Sequence, residues 1–181
     1  MIIRPALEGD AAAIADIYGD HVLHGLGTFE EQPPSAGEIL ARMGAIRGLQ
    51  LPYLLAEESG AAMGFAYAAP FRPRAAYRYT VEDSVYMAPR AMGRGVGKAL
   101  VAELIAVCEA MGLRQMMAVI GDSANQASIA LHRSLGFEAA GRCRAVGYKM
   151  GRWVDTVWMQ RALNGGDAAP PDVPGLALRG G

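Results

Sequence analysis

The segment Pro89-Arg90-Ala91-Met92-Gly93-Arg94-Gly95-Val96-Gly97-Lys98-Ala99-Leu100 sets glycine at every second position of its centre and then runs into a helical pattern. Its flanks limit what the chain can fold into. Tyr79 to Met87, before it, has the β-branched and aromatic content of a strand. After it, Val96, Leu100, Leu104, Val107, Cys108 and Met111 recur at the helical period. A strand, a stretch of bare backbone and a helix start in that order bring several N–H groups to one point, with Arg94 and Lys98 beside them. That is an anion site, best suited to a pyrophosphate. Two familiar phosphate loops do not fit. The Walker pattern needs glycine where Met92 stands and Ser or Thr where Ala99 stands. The dinucleotide fingerprint has a different glycine period.

The other elements follow from local signals. Ile2 to Pro5 reads as a strand. Asp10 caps a helix with Ile14, Ile17, Tyr18 and His21 on one stripe. Thr28-Phe29-Glu30 is a short extended piece. Ser35 and Glu38 make a capping box for a second helix that Gly48 ends. Pro52 to Glu57 and Ala62 to Ala69 are strands joined at Glu58-Ser59-Gly60, and Arg72 to Arg78 is a basic loop. Gly112 closes the helix after the glycine loop. Gln115 to Ile120 is too apolar to have a wet face and is predicted to be central. Asp122-Ser123 leads into a helix from Asn125 to Leu135, stopped by Gly136. The last strands are Phe137 to Ala145 and Trp153 to Ala162. From Asn164 onward the Gly/Pro-rich tail has little to pack and is expected to be mobile or draped on the surface. The expectation is one α/β domain over residues 1–163 and a tail over 164–181.

Composition narrows the function. A formal net charge of −1 argues against a nucleic-acid surface. No apolar run approaches the roughly 18–20 residues that span a bilayer. The start carries no basic and apolar leader pattern, so the expected location is cytoplasmic, without membrane association. Cys108 and Cys143 are too few for a disulfide framework and are expected to be buried free thiols. His21 and His24 have no third ligand near them in sequence, so no metal site is expected.

The glycine loop, Asn125-Gln126-Ala127-Ser128, and Leu131 to Phe137 together resemble the GNAT acetyltransferase superfamily. Thr28-Phe29-Glu30, Tyr79 to Tyr86, and Gly147 to Asp155 are similar to one branch, the phosphinothricin and methionine sulfoximine N-acetyltransferases. The resemblance covers Ile2 to Leu163. It implies an α+β fold whose mixed, mostly antiparallel sheet is splayed between its fourth and fifth strands and flanked by helices. It implies acetyl-CoA as co-substrate. The pantetheine would pair with backbone groups of Val85, Tyr86 and Met87. The pyrophosphate would meet the amides of Gly93, Arg94, Gly95, Val96, Gly97 and Lys98, and Asn125 and Ser134 would contact the cofactor from the next helix. Met92 departs from the family, which has Gln or Arg there; Arg90 or Arg94 is the candidate replacement.

Acetyl transfer to an amine needs a group to take the ammonium proton, a donor to the thioester oxygen and a proton for the leaving thiolate. The resemblance makes Glu82 the base. Asp83, next along a regular strand, should face the other side. His132 stands where many relatives carry a tyrosine acid; it would protonate the thiolate or orient the substrate. The Met87 amide is a candidate oxyanion donor. The acceptor would lie among Phe29, Arg72, Arg74, Ala75, Ala76, Tyr77, Glu82 and Lys149, with Arg78 and Arg152 as further cations. Family members form homodimers, which would bring Lys149 to Trp153 near the partner's site, and Trp153 and Trp158 are expected in core or interface. The implied activity is acetylation of the α-amino group of a small glutamate-like amino acid, with detoxification as one role. Two alternatives stay open: another acceptor amine (a different amino acid, a polyamine or a protein N-terminus), or an acyl-CoA-binding module without turnover.

Overall fold

A computed structural model describes residues 1–178. Along the chain run β1 (Ile2–Pro5), α1 (Ala11–His24), α2 (Ala36–Gly48), β2 (Tyr53–Glu58), β3 (Ala61–Pro70), β4 (Thr80–Met87), α3 (Val96–Ala110), β5 (Gln115–Gly121), α4 (Gln126–Ser134), β6 (Glu138–Lys149) and β7 (Arg152–Ala162). The strands form one seven-stranded sheet in the order β1-β2-β3-β4-β5-β7-β6. Every neighbouring pair is antiparallel except β4 and β5, which are parallel and joined through α3. This is the expected mixed sheet, with helices over both faces.

Strand alternation assigns the faces. Tyr86 of β4 meets Tyr18 and His21 of α1 edge-on, at 4.8 and 5.3 Å between ring centroids. Asp83, of opposite parity, meets α4 instead. The apolar stripes of α1, α2 and α3 supply Ile14, Ile39, Met43, Leu100 and Leu104 to the core, all fully buried against Leu55, Phe65 and Met116 of the sheet. β5 lies inside the sheet, as its continuous apolar run requires.

Ser35 and Glu38 form the expected capping box: Ser35 Oγ accepts the Glu38 N–H at 3.2 Å and Glu38 Oε2 accepts the Ser35 N–H at 2.7 Å. Asp10 behaves differently. It occupies the N-cap of α1, but its carboxylate turns back to the Leu7 N–H and to Arg4, whose bidentate hold outcompetes the helix amides. β6 runs to Lys149, beyond the expected end at Ala145. Ala145 takes a left-handed φ of 54° in a bulge, and Asp155 Oδ1 accepts its N–H, so pairing resumes after the irregularity. Cys108 is buried as expected; Cys143 is exposed, because the strand that carries it is the outermost of the sheet.

The tail is draped rather than free. Leu176 is buried and its N–H donates to the Arg78 carbonyl, while Val173 accepts from the Tyr79 hydroxyl at 2.7 Å. Arg114 donates to the carbonyls of Asn164 and Pro170. Residues 179–181 of the expected tail lie outside the described residues.

Candidate active site

β4 and β5 pair only from Thr80 to Asp83 against Gln115 to Ala118. Beyond that point both strands continue but part. Ala88 donates to Met63 on β3, so strand alternation turns the peptide groups of Val85 and Met87 toward the gap, and those of Tyr86 toward β3. A cavity of about 740 Å³ fills the fork. Its walls are the diverging ends of the two strands, Gly25 to Gly27, the glycine loop and one face of α4. An extended chain laid along β4 would find unpaired backbone partners there, much as an added strand does.

The loop at its mouth is built for close approach. Gly93 and Gly95 have φ of 72° and 78°, a region closed to most side chains, and nothing stands within 4 Å of where a Cβ would be. Gly95 is the N-cap of α3, so the free amides of the first turn open into the same space. Gly97 is bare for another reason: a Cβ there would come within 2.9 Å of Leu131 on α4. Lys98, Asn125 and Ser134 also line the channel. Asn125 doubles as the N-cap of α4, accepting the Ser128 N–H at 3.2 Å. Ser134 donates to the Leu131 carbonyl. Neither candidate replacement for the Met92 grip faces this space. Arg94 turns outward to Glu58 at 2.8 Å, and Arg90 donates to the Ala62 carbonyl. Met92 itself lines the channel and is well exposed.

Three titratable groups lie at the apex of the fork, Glu82 on one face of the sheet and Asp83 with His132 on the other, and of these Asp83 and His132 line the channel. Glu82 is half-buried on the face of α1. Burial raises its carboxyl above the usual carboxylate range, the neighbouring Asp83 charge adds to this, and Arg72 opposes it. Asp83 points to the other face, as alternation requires. It and His132 are both buried, with His132 Nε2 3.0 Å from Asp83 Oδ2. The Ser128 carbonyl accepts from His132 Nδ1 at 2.8 Å. Burial pulls the imidazole down, but the hydrogen bond and charge of Asp83 more than offset it and leave His132 above its ordinary value.

The basic loop joins β3 to β4 at the end nearest Glu82, since Ala69 and Glu82 are register partners. Arg72 lies over the Phe71 ring at 4.4 Å and near Trp158. Arg74 and the short turn Ala75–Tyr77 are exposed. Tyr77 meets Phe71 edge-on. Phe29 is partly exposed and lies so close over Gly147 that no side chain fits beneath its ring. Lys149 is spent elsewhere than on this loop. It is buried, and its Nζ donates to the carbonyls of Gly25 and Thr28 at 2.9 and 2.8 Å, tying the segment that carries Phe29 onto β6.

Two titratable residues of the channel were not among the site residues read from the sequence. His21 donates from Nε2 to the Met87 carbonyl at 2.8 Å, and Asp83 holds His132. The helical stripe already turned His21 inward with Ile14 and Tyr18. Asp83 left no signal beyond strand parity, because its partner is 49 residues away.

A parallel pair that opens into a channel, with a glycine loop and helix start at its mouth, defines an acyltransferase of the acyl-CoA-dependent class. The chain belongs to the GNAT acetyltransferase family: the family's acetyltransferase domain matches residues 3–158. It is 50% identical to a phosphinothricin N-acetyltransferase of Alcaligenes faecalis, over 94% of this chain and 86% of that one. It is 40% identical to an L-methionine sulfoximine/L-methionine sulfone acetyltransferase of Salmonella typhimurium, over 95% of this chain and 99% of the relative. A crystal structure of a GNAT superfamily phosphinothricin acetyltransferase from Sinorhizobium meliloti in complex with AcCoA superimposes with a TM-score of 0.91 at 50% identity, covering 94% of this chain and 92% of that one.

Proposed function

We propose that this acetyltransferase moves the acetyl group of acetyl-CoA to the α-amino group of a small glutamate-like amino acid, such as phosphinothricin or methionine sulfoximine, by direct attack in a ternary complex. The observation that carries the reading is the placement of Glu82: a half-buried carboxylate, raised by that burial, where β4 begins to leave β5 and beside Arg72. A carboxylate raised in this way is a better base toward an ammonium than an exposed one. Arg72 and Arg74 would take the acceptor's carboxylate and its anionic or polar side-chain end. Phe29, Ala75, Ala76 and Tyr77 would close the pocket around it. Lys149 contributes through the loop it anchors.

The fit of acetyl-CoA rests on the channel itself. The Val85 and Met87 peptide groups offer strand-like pairing, the loop amides from Gly93 to Lys98 suit a pyrophosphate, and the positive-φ glycines leave that space open. The Met87 amide would face the thioester oxygen, and His132 would supply the proton for the departing thiolate. The reaction is placed in the cytoplasm, where acetyl-CoA is drawn on. A homodimer is part of the same reading. β6 is an outer strand of 12 residues, and Val146, Tyr148, Met150 and Trp153 on the β6–β7 hairpin are exposed apolar side chains that a second copy would cover. Thiol release measured with acetyl-CoA and a panel of amines tests the function. Methionine sulfoximine should turn over far better than spermidine or free lysine, and the reverse order would remove the amino-acid reading.

A further inference from the structure

The His132 ring has no free nitrogen. Nδ1 faces the Ser128 carbonyl, which can only accept, so Nδ1 carries a proton. Nε2 faces Asp83 Oδ2, and a proton lies between them. The other carboxylate oxygen, Asp83 Oδ1, is buried and has no hydrogen-bond partner, although Asp83 forms part of the channel wall at the apex of the fork. A buried carboxylate oxygen without a partner costs free energy and calls for an explanation.

We propose that Asp83 is a positioning residue for acetyl transfer: it locks His132 in the channel wall and keeps a proton on both ring nitrogens, and its free oxygen Oδ1 receives the thiol that the reaction creates. The proposal rests on the reading of His132 as proton donor. As the carbon–sulfur bond breaks, its electron pair goes to sulfur. His132 lines the channel, so the sulfur shares the Nε2 proton with Asp83 Oδ2 and then takes it: the N–H bond breaks and an S–H bond forms. The ring is left neutral with Nδ1–H still on Ser128. Asp83 stays ionised throughout, and the new S–H can donate to Oδ1. The excess proton of the acylated nitrogen leaves through Glu82 to solvent. Solvent then restores the Nε2 proton after product release.

The charged and titratable groups around the ring are few. β4 offers Asp83. α3 offers the buried Cys108 thiol, which burial and Asp83 push up to about 12, so it stays neutral. The facing segment of β5 carries no charge, and Phe137 meets the ring edge-on at 5.0 Å. Asp83 is therefore the group that sets the His132 proton.

Nitrogen-15 imidazole shifts of the ligand-free protein test this without turnover. In the wild type both His132 nitrogens should remain protonated at pH 7.5, where an ordinary histidine near 6.5 is mostly neutral. A neutral ring there overturns the proposal, whatever the variants do. Asp83→Asn should move that titration at least one pH unit lower and carry the alkaline limb of kcat down with it; Asp83→Glu should restore part of both. If His132→Gln keeps the wild-type kcat, the donor reading itself fails. If His132→Gln is slow while Asp83→Asn leaves shifts and limb in place, the donor reading stands and the role of Asp83 is overturned.

Discussion

The Nε2–H of His21 donates to the Met87 carbonyl across 2.8 Å, from α1 to the last residue of β4. The bond pins the Met87–Ala88 peptide group in the widening fork, next to the Met87 amide that is assigned to the thioester oxygen. His21→Ala should loosen it. The expected cost is about 1 kcal/mol, the usual worth of one such hydrogen bond, or roughly fivefold in acetyl-CoA affinity by calorimetry. His21→Gln, which keeps a donor, should recover part of the loss. Unchanged affinity in His21→Ala would show that β4 holds the peptide unaided.

Glu82→Gln separates chemistry from stability. Loss of the base should lower kcat/KM near neutral pH by roughly 10²–10⁴-fold, with partial recovery as rising pH supplies free amine. Acetyl-CoA affinity should stay constant. Stability should move the other way. The folded-state carboxyl of Glu82 is raised, so its ionised form costs stability in full above that raised value; the cost fades as pH falls from there toward the ordinary glutamate value and is gone below it. The variant should therefore melt above the wild type at pH 8, with the difference shrinking toward pH 4. A lower melting temperature at pH 8 would contradict the burial cost.

Gly95→Val should abolish acetyl-CoA binding, because a left-handed φ of 78° excludes a β-branched residue and the side chain would enter the open space over the loop. Gly97→Ala acts through packing: its Cβ pushes on Leu131 and should lower the melting temperature as well as the affinity. Met92→Arg should tighten binding by up to about 1.5–3 kcal/mol if a charged hydrogen bond to phosphate forms. Arg94→Ala serves as the control. Its guanidinium is paired with Glu58, so its removal should change acetyl-CoA affinity little.

The tail reaches the acceptor side. Leu176 is buried and bonded to Arg78, the last residue of the basic loop. Leu176→Ala should cost about 2 kcal/mol or more in stability. Truncation after Asn164 should raise the amino-acid KM while leaving acetyl-CoA affinity near wild type. Equal changes in both would mean that the tail supports the whole sheet instead.

The glycine loop and the capping box of α2 were legible because each is written in neighbouring residues. Ser35 and Glu38 are three apart, and the loop glycines are contiguous with the helix they open. What stayed hidden crosses the fold. Lys149 reads as one more cation near an arginine loop, yet its ammonium is consumed by the carbonyls of Gly25 and Thr28, more than 120 residues upstream. Arg94 reads as a phosphate ligand by position, but Glu58 on the adjacent hairpin claims it. The extension of β6 past Ala145 depends on Asp155 of the opposite strand. Competition among long charged side chains is settled by tertiary proximity, which local pattern does not encode.

The chain contains only two lysines, Lys98 and Lys149. Lys98 is exposed at the mouth of the channel, and Lys149 is sealed beneath the segment that carries Phe29. Brief treatment with an amine-reactive reagent should therefore mark Lys98 and the N-terminus at once, and Lys149 only as often as that segment lifts. The two modification rates, resolved by peptide mass spectrometry, turn one buried ammonium into an internal clock for opening at the acceptor pocket. Bound amino acid should slow the Lys149 rate, and bound acetyl-CoA should shield Lys98.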